Sequence, residues 1–188
     1  MKERLTIKAK KEGYKARSAY KLLQLNDKYK LIKRGDKVLD LGCWPGSWLQ
    51  VCHQKGCSVL GIDLRKTNLR LSNVRVYQLD VFSDKFFDVV NEKFDGILSD
   101  MAPNTTGNIM IDQIKSHELS ERAFEIAKKL LKENGNFLVK IFQSEDSNEL
   151  LNNMRKYFKF VKSTKPMSSK KGSKEIYFMG VGFIEDSI

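Results

Sequence analysis

The sequence contains little of several residue types that mark particular protein classes. It has three cysteines, two histidines and three prolines in 188 residues. The cysteines form no Cys-x-x-Cys pair, so we expect free thiols in a reducing compartment and no metal site. No run approaches the roughly 18 apolar residues of a transmembrane helix, and no signal-peptide core is present. We therefore expect a cytoplasmic protein, or one of a mitochondrial or plastid matrix if a transit peptide is missing from this sequence.

The chain also lacks the features that separate domains. It contains no internal repeat, no low-complexity tract and no proline-rich linker. Its composition, 41% hydrophobic and 30% charged, is that of an ordinary globular protein. We expect a single domain over residues 1–188, in which residues 1–37 form a basic segment whose helix packs on the core.

Positive charge is in excess and unevenly distributed. The formal net charge is +11, and residues 1–37 contain 13 Lys/Arg against 4 Asp/Glu. Residues 155–174 contain 8 Lys/Arg and no acid. Solvated surface segments of a lysine-rich protein would also have this composition. The pattern favours a nucleic-acid surface assembled from both ends of the chain, with the two lysine clusters as phosphate contacts (Lys8, Lys10, Lys11; Lys170, Lys171, Lys174).

Apolar runs and helical spacing alternate along most of the chain. The pattern predicts strands at 37–41, 58–63, 74–79, 94–100, 137–142, 160–162 and 175–183. It predicts helices between them at 16–29, 47–54, 84–92, 111–132 and 145–157. Alternating strands and helices, followed by two consecutive strands, indicate an α/β fold. We expect a mostly parallel, seven-stranded Rossmann-like sheet flanked by helices, with its last strand antiparallel.

A lysine lies in the middle of an apolar strand. Lys140 interrupts the run Phe137–Phe142, and an unpaired buried ammonium costs several kcal/mol, roughly. The preceding strand ends at Asp100, and parallel strands bring their carboxyl ends to one crevice. We expect Lys140 and Asp100 to pair there, either as a structural ion pair between strands or as part of an active site.

Three acidic residues end successive strands near a glycine-containing turn. Asp40 precedes the turn that contains Gly42, Pro45, Gly46 and Trp48, and Asp63 and Asp80 end the next two strands. The spacing is not G-x-G-x-x-G, so a pyrophosphate cradle is poorly supported. Asp63 stands where an acid binds ribose hydroxyls, and Asp80 could accept from an adenine amino group. These residues favour S-adenosylmethionine, an adenosine ligand without phosphates that carries a positive sulfonium.

Several motifs resemble those of the FtsJ-type ribose 2′-O-methyltransferases of large-subunit ribosomal RNA. They occur nearly end to end in the order of that family: residues 17–22, 39–48, 98–104, 139–142 and 165–177. The resemblance implies a catalytic Lys-Asp-Lys-Glu set at Lys21, Asp100, Lys140 and Glu175, with Asp100 also beside the cofactor. The family's cofactor turn usually has small residues where this chain has Cys43, Trp44 and Ser47.

The resemblance implies a specific substrate and partner. We expect methyl transfer from S-adenosylmethionine to the ribose of a uridine in large-subunit ribosomal RNA, within the ribosomal particle. Lys140 would be the base, Asp100 would orient it, and Lys21 and Glu175 would hold the hydroxyl, without a metal. We expect a monomer with no obligate protein partner and no membrane.

Other functions fit parts of the sequence. Transfer RNA and the messenger cap are alternative substrates for a ribose methyltransferase. A base N-methyltransferase would need an aromatic residue where this chain has Asn104, and an NAD-dependent oxidoreductase would need the missing glycine motif and a substrate domain. An RNA-binding ribosome assembly factor without catalysis would leave the Lys-Asp-Lys-Glu set without a role.

Overall fold

The computed structural model describes residues 2–145, 147–169 and 172–185, in which strands and helices alternate as predicted. The strands are β1 (Lys37–Leu41), β2 (Ser58–Asp63), β3 (Val74–Gln78), β4 (Phe94–Ser99), β5 (Leu131–Phe142), β6 (Phe158–Thr164) and β7 (Glu175–Phe183). The helices are α1 (Lys2–Lys11), α2 (Ala19–Tyr29), α3 (Ser47–Gln54), α4 (Phe86–Val89), α5 (Ile109–Leu130) and α6 (Ser147–Met154).

The strands form one seven-stranded sheet in the order β3-β2-β1-β4-β5-β7-β6. All pairs from β3 to β5 are parallel, and β7 is antiparallel to both β5 and β6. The predicted fold class, with an antiparallel last strand, is therefore confirmed. Because β7 runs the other way, its first residues reach the edge at which β4 and β5 end.

Helices cover both faces of the sheet because successive side chains of each strand point to opposite faces. Phe137, Val139 and Ile141 of β5 pack with α4, α5 and α6, whereas Leu138 packs with α2 and α3. This two-sided burial explains why the central strands are almost continuously apolar. A polar side chain in such a strand therefore has to find its partner inside the protein.

Some element boundaries differ from the sequence pattern. The predicted helix at 84–92 shortens to α4, the strand at 160–162 lengthens to β6, and the helix at 16–29 begins only at Ala19. The turn expected at 133–136 lies inside β5, whose pairing with β4 is irregular between Phe94 and Gly96. Asn134 takes a left-handed φ of 62° there, so the chain bends without leaving the sheet.

Helix α1 was not predicted, because its residues are mostly exposed and show little apolar periodicity. Ala9 is its buried residue, and Lys8 lies 5.1 Å from the ring centre of Tyr20 in α2. The basic N-terminal residues therefore pack against the second helix through few contacts. None of the described helices is long and apolar enough to cross a membrane.

The three cysteines are free, as the sequence predicts, and the structure buries all three. Burial raises the pKa of the Cys57 thiol to about 11 and raises the pKa values of Cys43 and Cys52 as well. A thiol, unlike a thiolate, is a weak nucleophile. We therefore assign the cysteines to the core and look elsewhere for the chemistry.

Candidate active site

The candidate catalytic residues meet at the edge where β4 and β5 end and β7 begins. Asp100 follows β4, Lys140 lies near the end of β5, and Glu175 is the first residue of β7. The antiparallel register pairs Lys140 with Tyr177 and Phe142 with Glu175. Lys21 comes from the first turns of α2, which packs on this face of the sheet. The topology thus brings together residues that are far apart in sequence.

Lys140 is held by both polar groups of Asp100. Its Nζ lies 3.0 Å from Asp100 Oδ1 and donates a hydrogen bond of 2.6 Å to the Asp100 carbonyl oxygen. The Lys140 side chain is 7% exposed and that of Asp100 is 17% exposed, so the pair is largely desolvated. The expected partnership of Lys140 and Asp100 is confirmed. The two contacts also set the direction in which the ammonium points.

Tyr177 links this pair to a second ion pair. Its hydroxyl oxygen lies 2.7 Å from Asp100 Oδ1 and 3.0 Å from Glu175 Oε1. A phenol has one proton, so it donates to one carboxylate at a time. Glu175 in turn forms an ion pair with Lys21, whose Nζ lies 5.7 Å from the centre of the Tyr177 ring. Two lysines, two carboxylates and one phenol therefore form a continuous buried network.

The charges in this network determine which groups stay ionised. Burial by itself would raise the pKa of Asp100, but the positive charges of Lys140 and Lys21 and the hydrogen bond from Tyr177 lower it below its usual value. Burial, together with the charges of Asp100 and Glu175, raises the pKa of Tyr177 far above its usual value. Asp100 is therefore a carboxylate and Tyr177 a neutral phenol at neutral pH.

A cleft of about 540 Å³ opens beside the network, at the ends of β1, β2 and β3. Four of the predicted site residues line it, namely Gly42, Asp63, Asp80 and Asp100, together with Trp44 of the glycine turn. Apolar side chains complete the wall, among them Leu64, Leu79, Val81, Phe82 and Met101. An apolar cleft with a few acids matches a nucleoside with hydroxyl groups. A depression of about 720 Å³ at the other end of α5 contains none of the predicted residues.

The turn after β1 has no room for a side chain at Gly42. Its φ is +76°, and a Cβ there would lie 2.6 Å from Met101 Cγ. The turn is tied to β2, because Asp63 accepts hydrogen bonds from the backbone N–H groups of Trp44 (2.9 Å) and Arg65 (2.8 Å). The Arg65 guanidinium lies 4.7 Å from the centre of the Trp44 ring. Trp44 is 47% exposed and lines the cleft, so it forms part of the rim.

The remaining predicted cofactor residues divide into two groups. Asp80 lies in the wall and accepts a hydrogen bond of 2.9 Å from the N–H of Phe82. Pro45, Gly46 and Trp48 lie outside the lining of the cleft. Trp48 is buried, and its Nε1 donates to the Ser18 carbonyl (2.9 Å), just before α2 begins. Trp48 thereby connects the glycine turn to the helix that carries Lys21.

Asp40 is a buried acid without a partner. It is fully buried in β1, and neither carboxylate oxygen has a hydrogen-bond partner among the described residues. Burial raises the pKa of Asp40 well above its usual value, and the charges of Asp100 and Asp63 raise it further. Leaving a buried polar group unsatisfied costs about 1–3 kcal/mol. A carboxyl of this kind is either uncharged in the free protein or completed by a cationic ligand.

Sequence reasoning missed the part that Tyr177 takes in the network. The signal was available, because Tyr177 lies two residues after Glu175 on one strand and so shares its face. Asp40 was counted among the strand-end acids but received no role. Like Lys140, it is a charged residue inside an apolar strand, and the same argument applies to it.

The two basic blocks lie against each other beside the catalytic edge. Arg17 of the first block donates to the Ser168 carbonyl of the second (3.5 Å). Gln24 Oε1 accepts hydrogen bonds of 3.1 Å from both the N–H and the hydroxyl of Ser168. The segments around Arg17 and Ser168 are therefore in contact, while the surface expected from both lysine clusters stays a prediction. Lys170 and Lys171 lie outside the described residues.

Comparison with known families gives one match over most of the chain. The family described as FtsJ-like methyltransferase matches residues 14–183. A Wolbachia sp. subsp. Brugia malayi protein named ribosomal RNA large subunit methyltransferase E is 43% identical over 185 residues, which cover 96% of this chain and 84% of that protein.

Solved structures resemble the fold. A Plasmodium falciparum protein described as a ribosomal RNA methyltransferase is 30% identical with a TM-score of 0.79, over 90% of this chain and 98% of the other. A Burkholderia thailandensis N1-methyltransferase with bound S-adenosylhomocysteine is 19% identical with a TM-score of 0.59, over 89% of this chain and 78% of the other. At that identity the second resemblance concerns the fold alone.

Proposed function

The chain belongs to the FtsJ-like methyltransferase family, and from this premise we propose that it methylates the 2′-hydroxyl of a uridine ribose in large-subunit ribosomal RNA. S-adenosylmethionine is the proposed methyl donor. The observation that carries the proposal is the buried network of Lys140, Asp100, Tyr177, Glu175 and Lys21 beside the cleft. A merely structural network would not need to lie at the open edge of the sheet.

The residues around the cleft fit S-adenosylmethionine. Asp40 is fully buried and does not line the cleft, but its unpartnered carboxyl lies near Asp63 and Asp100, which do, and it is proposed to receive the ammonium group of the methionine part. Asp63 and Asp80 suit the ribose hydroxyls and the adenine amino group, and the apolar wall around Phe82 suits the adenine ring. The bound cofactor supplies an electrophilic methyl group on a positively charged sulfur.

Lys140 is the proposed general base. In its neutral form Lys140 would take the proton of the ribose hydroxyl as that oxygen accepts the methyl group from the bound cofactor. Lys140 would thereby become an ammonium. Asp100 stabilises that ammonium, because its Oδ1 lies 3.0 Å away and its low pKa keeps it ionised. Base catalysis of this kind typically contributes about 10²–10⁴-fold.

Lys21 and Glu175 are proposed to hold the hydroxyl against the base. Their ion pair has both members largely buried, with 9% and 17% of the two side chains exposed. Tyr177 connects this pair to Asp100, so the four charged side chains keep one relative geometry. Holding reactants in a reactive geometry can contribute several kcal/mol, roughly. Proton removal and positioning therefore act together.

RNA is the proposed partner of the basic surface. Arg17 and the segment around Ser168 meet beside the catalytic edge, so both basic blocks can reach phosphates near the acceptor. The described residues form one sheet covered by helices, and none of them forms a separate RNA-recognition domain. Recognition therefore depends on the shape of an already folded RNA, such as that of the ribosomal particle. We propose that the protein acts as a monomer there.

Methyl transfer to purified RNA species tests the proposal. The full-length protein is incubated with labelled S-adenosylmethionine and either large-subunit particles, their naked RNA or transfer RNA, and 2′-O-methyl sites are mapped. We expect one site in large-subunit RNA and none with Lys140→Ala. A short substrate with a 2′-deoxyribose at that site should accept no methyl group. Methylation of transfer RNA without activity on large-subunit RNA or particles would instead assign the chain to the transfer-RNA enzymes.

A further inference from the structure

Tyr29, at the end of α2, is surrounded by lysines from both basic blocks. Lys28 Nζ lies 5.2 Å and Lys162 Nζ 6.0 Å from the centre of its ring. The Tyr29 hydroxyl lies 3.4 Å from Thr164 Oγ1 at the end of β6. These distances are within the range of cation–π contacts. An aromatic ring with two lysine ammonium groups nearby thus lies where the two basic blocks meet.

The positive charge at this place is not neutralised by carboxylates. Lys28, Lys30 and Lys162 are exposed, and none of them forms an ion pair within the described part of the chain. The adjacent Asp27 faces Lys55 instead, at 3.9 Å. The hydrogen bond with Thr164, together with Lys28 and Lys162, lowers the pKa of the Tyr29 phenol. The surroundings of the ring therefore favour negative charge.

The ring lies on the same side of the protein as the active site. In the antiparallel register Thr164 pairs with Tyr177 and Lys162 with Met179, so these side chains share the face covered by α2. Tyr177 contacts the catalytic carboxylates directly. Tyr29 follows Lys21 by eight residues on one helix, which corresponds to about 12 Å. That distance spans roughly three to four nucleotides of a stacked strand.

We propose that Tyr29 stacks on an unpaired base of the RNA strand that carries the acceptor, while Lys28 and Lys162 bind the flanking phosphates. A single strand offers a π face and negative charge together, which is the combination this place complements. A duplex hides its base faces and a protein helix lacks the regular charge. The inference rests on the proposed function for the substrate class. It adds a contact site outside the catalytic network.

Binding of a short RNA to the full-length protein tests this site without any methyl transfer. The probe is a single-stranded RNA of about ten nucleotides, with the duplex of the same sequence as comparison. Tyr29→Leu should weaken single-strand binding at least about fivefold, because stacking on an aromatic side chain is lost. Tyr29→Phe, which keeps the ring, should bind within about twofold of the wild type. Lys162→Gln should reduce the salt dependence by about one counterion.

Tyr77 gives a matched control. It is also a partly exposed tyrosine, 37% accessible, but lies on β3 at the other side of the sheet. Tyr77→Leu should leave RNA binding unchanged. Because Tyr29 also packs against the core beneath α2, melting temperature and cofactor affinity are measured for every variant.

Three results would overturn the proposal. They are unchanged single-strand affinity in a folded Tyr29→Leu variant, equal losses for Tyr29→Leu and Tyr29→Phe, and an equal loss for Tyr77→Leu. If Tyr29→Leu fails to fold, Tyr29→Trp decides the matter, because stacked RNA should quench its added fluorescence relative to the wild type. A protein that methylates no ribosomal RNA but shows these RNA-binding effects would refute the proposed function and leave this site standing. A protein that methylates ribosomal RNA but shows none of these RNA-binding effects would refute this site alone.

Discussion

Replacement of Lys140 by alanine separates the proposed catalytic role from a structural one. The change removes the base and leaves Asp100 with the charge of Lys21 and the hydrogen bond from Tyr177. We expect methyl transfer to fall by about 10²–10⁴-fold. Cofactor affinity should change little, since Lys140 does not line the cleft. Lys140→Arg should fail as well, because a guanidinium stays protonated and cannot accept the hydroxyl proton.

The same strand contains a matched control lysine. Lys132 and Lys140 both belong to β5, and each forms an ion pair with an aspartate at one end of β4. The Lys132–Asp95 pair is exposed, so its loss should cost about 0.2–1 kcal/mol. Breaking a buried pair costs roughly 3–5 kcal/mol, and we expect about 3 for Lys140→Ala because Asp100 keeps two partners. In a chain of this length that lowers the melting temperature by about 6–12 °C.

The stability lost in Lys140→Ala depends on pH because the pKa of Asp100 is lowered in the folded protein. A carboxylate whose pKa is lower in the folded state stabilises the fold above its unfolded pKa, about 3.9. That stabilisation disappears as the pH falls through the folded pKa. Removing Lys140 raises the pKa of Asp100 in the folded state and so reduces the stabilisation that the ionised Asp100 provides. The stability difference between wild type and Lys140→Ala should therefore be full above about pH 4 and shrink below it.

Single-turnover methylation at saturating RNA and thermal unfolding measure the two effects separately. Turnover of Lys140→Ala within about tenfold of the wild type, in a protein that still binds RNA, would refute the assignment of the base. Equal losses of activity in Lys132→Ala and Lys140→Ala would show that Lys140, like Lys132, affects activity only by stabilising the fold.

Three further changes probe the cofactor cleft and the basic surface. Asp40→Asn should weaken S-adenosylmethionine binding in calorimetry, and unaltered affinity would remove Asp40 from the site. Because the pKa of Asp40 is raised in the folded state, its ionisation destabilises the cofactor-free protein as the pH rises above about 4, and Asp40→Asn should lessen that loss of stability. Asp63→Ala should cost about 1.5–3 kcal/mol of cofactor affinity, and normal titration of a folded variant would refute its role. Charge reversal on α1 (Lys8, Lys10, Lys11) should weaken RNA binding and leave cofactor binding intact. The RNA affinity of the wild type should fall steeply between roughly 50 and 200 mM salt, and an affinity that does not depend on salt would contradict a phosphate-binding surface.

Local patterns were sufficient for the order of the elements from α2 onward and for the pairing of Lys140 with Asp100. Apolar periodicity distinguishes strands from helices, and the topology of parallel sheets determines where their ends meet. Boundaries were less predictable. The residues 133–136 have turn composition, yet they stay within β5 because β4 continues to pair with the strand on both sides of the irregularity. Pairing with a neighbouring strand overrides the local preference there.

The sequence by itself determined the family, the α/β class and most of the residues now found at the catalytic edge, because each is encoded in a short motif or in the end of a strand. Only the tertiary structure decided how these residues combine. The bridge through Tyr177, the position of Trp48 outside the cleft and the unpartnered Asp40 depend on which groups are buried together. Lys21 and Glu175, which form one ion pair, are 154 positions apart. Which residues distant in sequence are buried together and pair with each other is decided by how the sheet and helices pack.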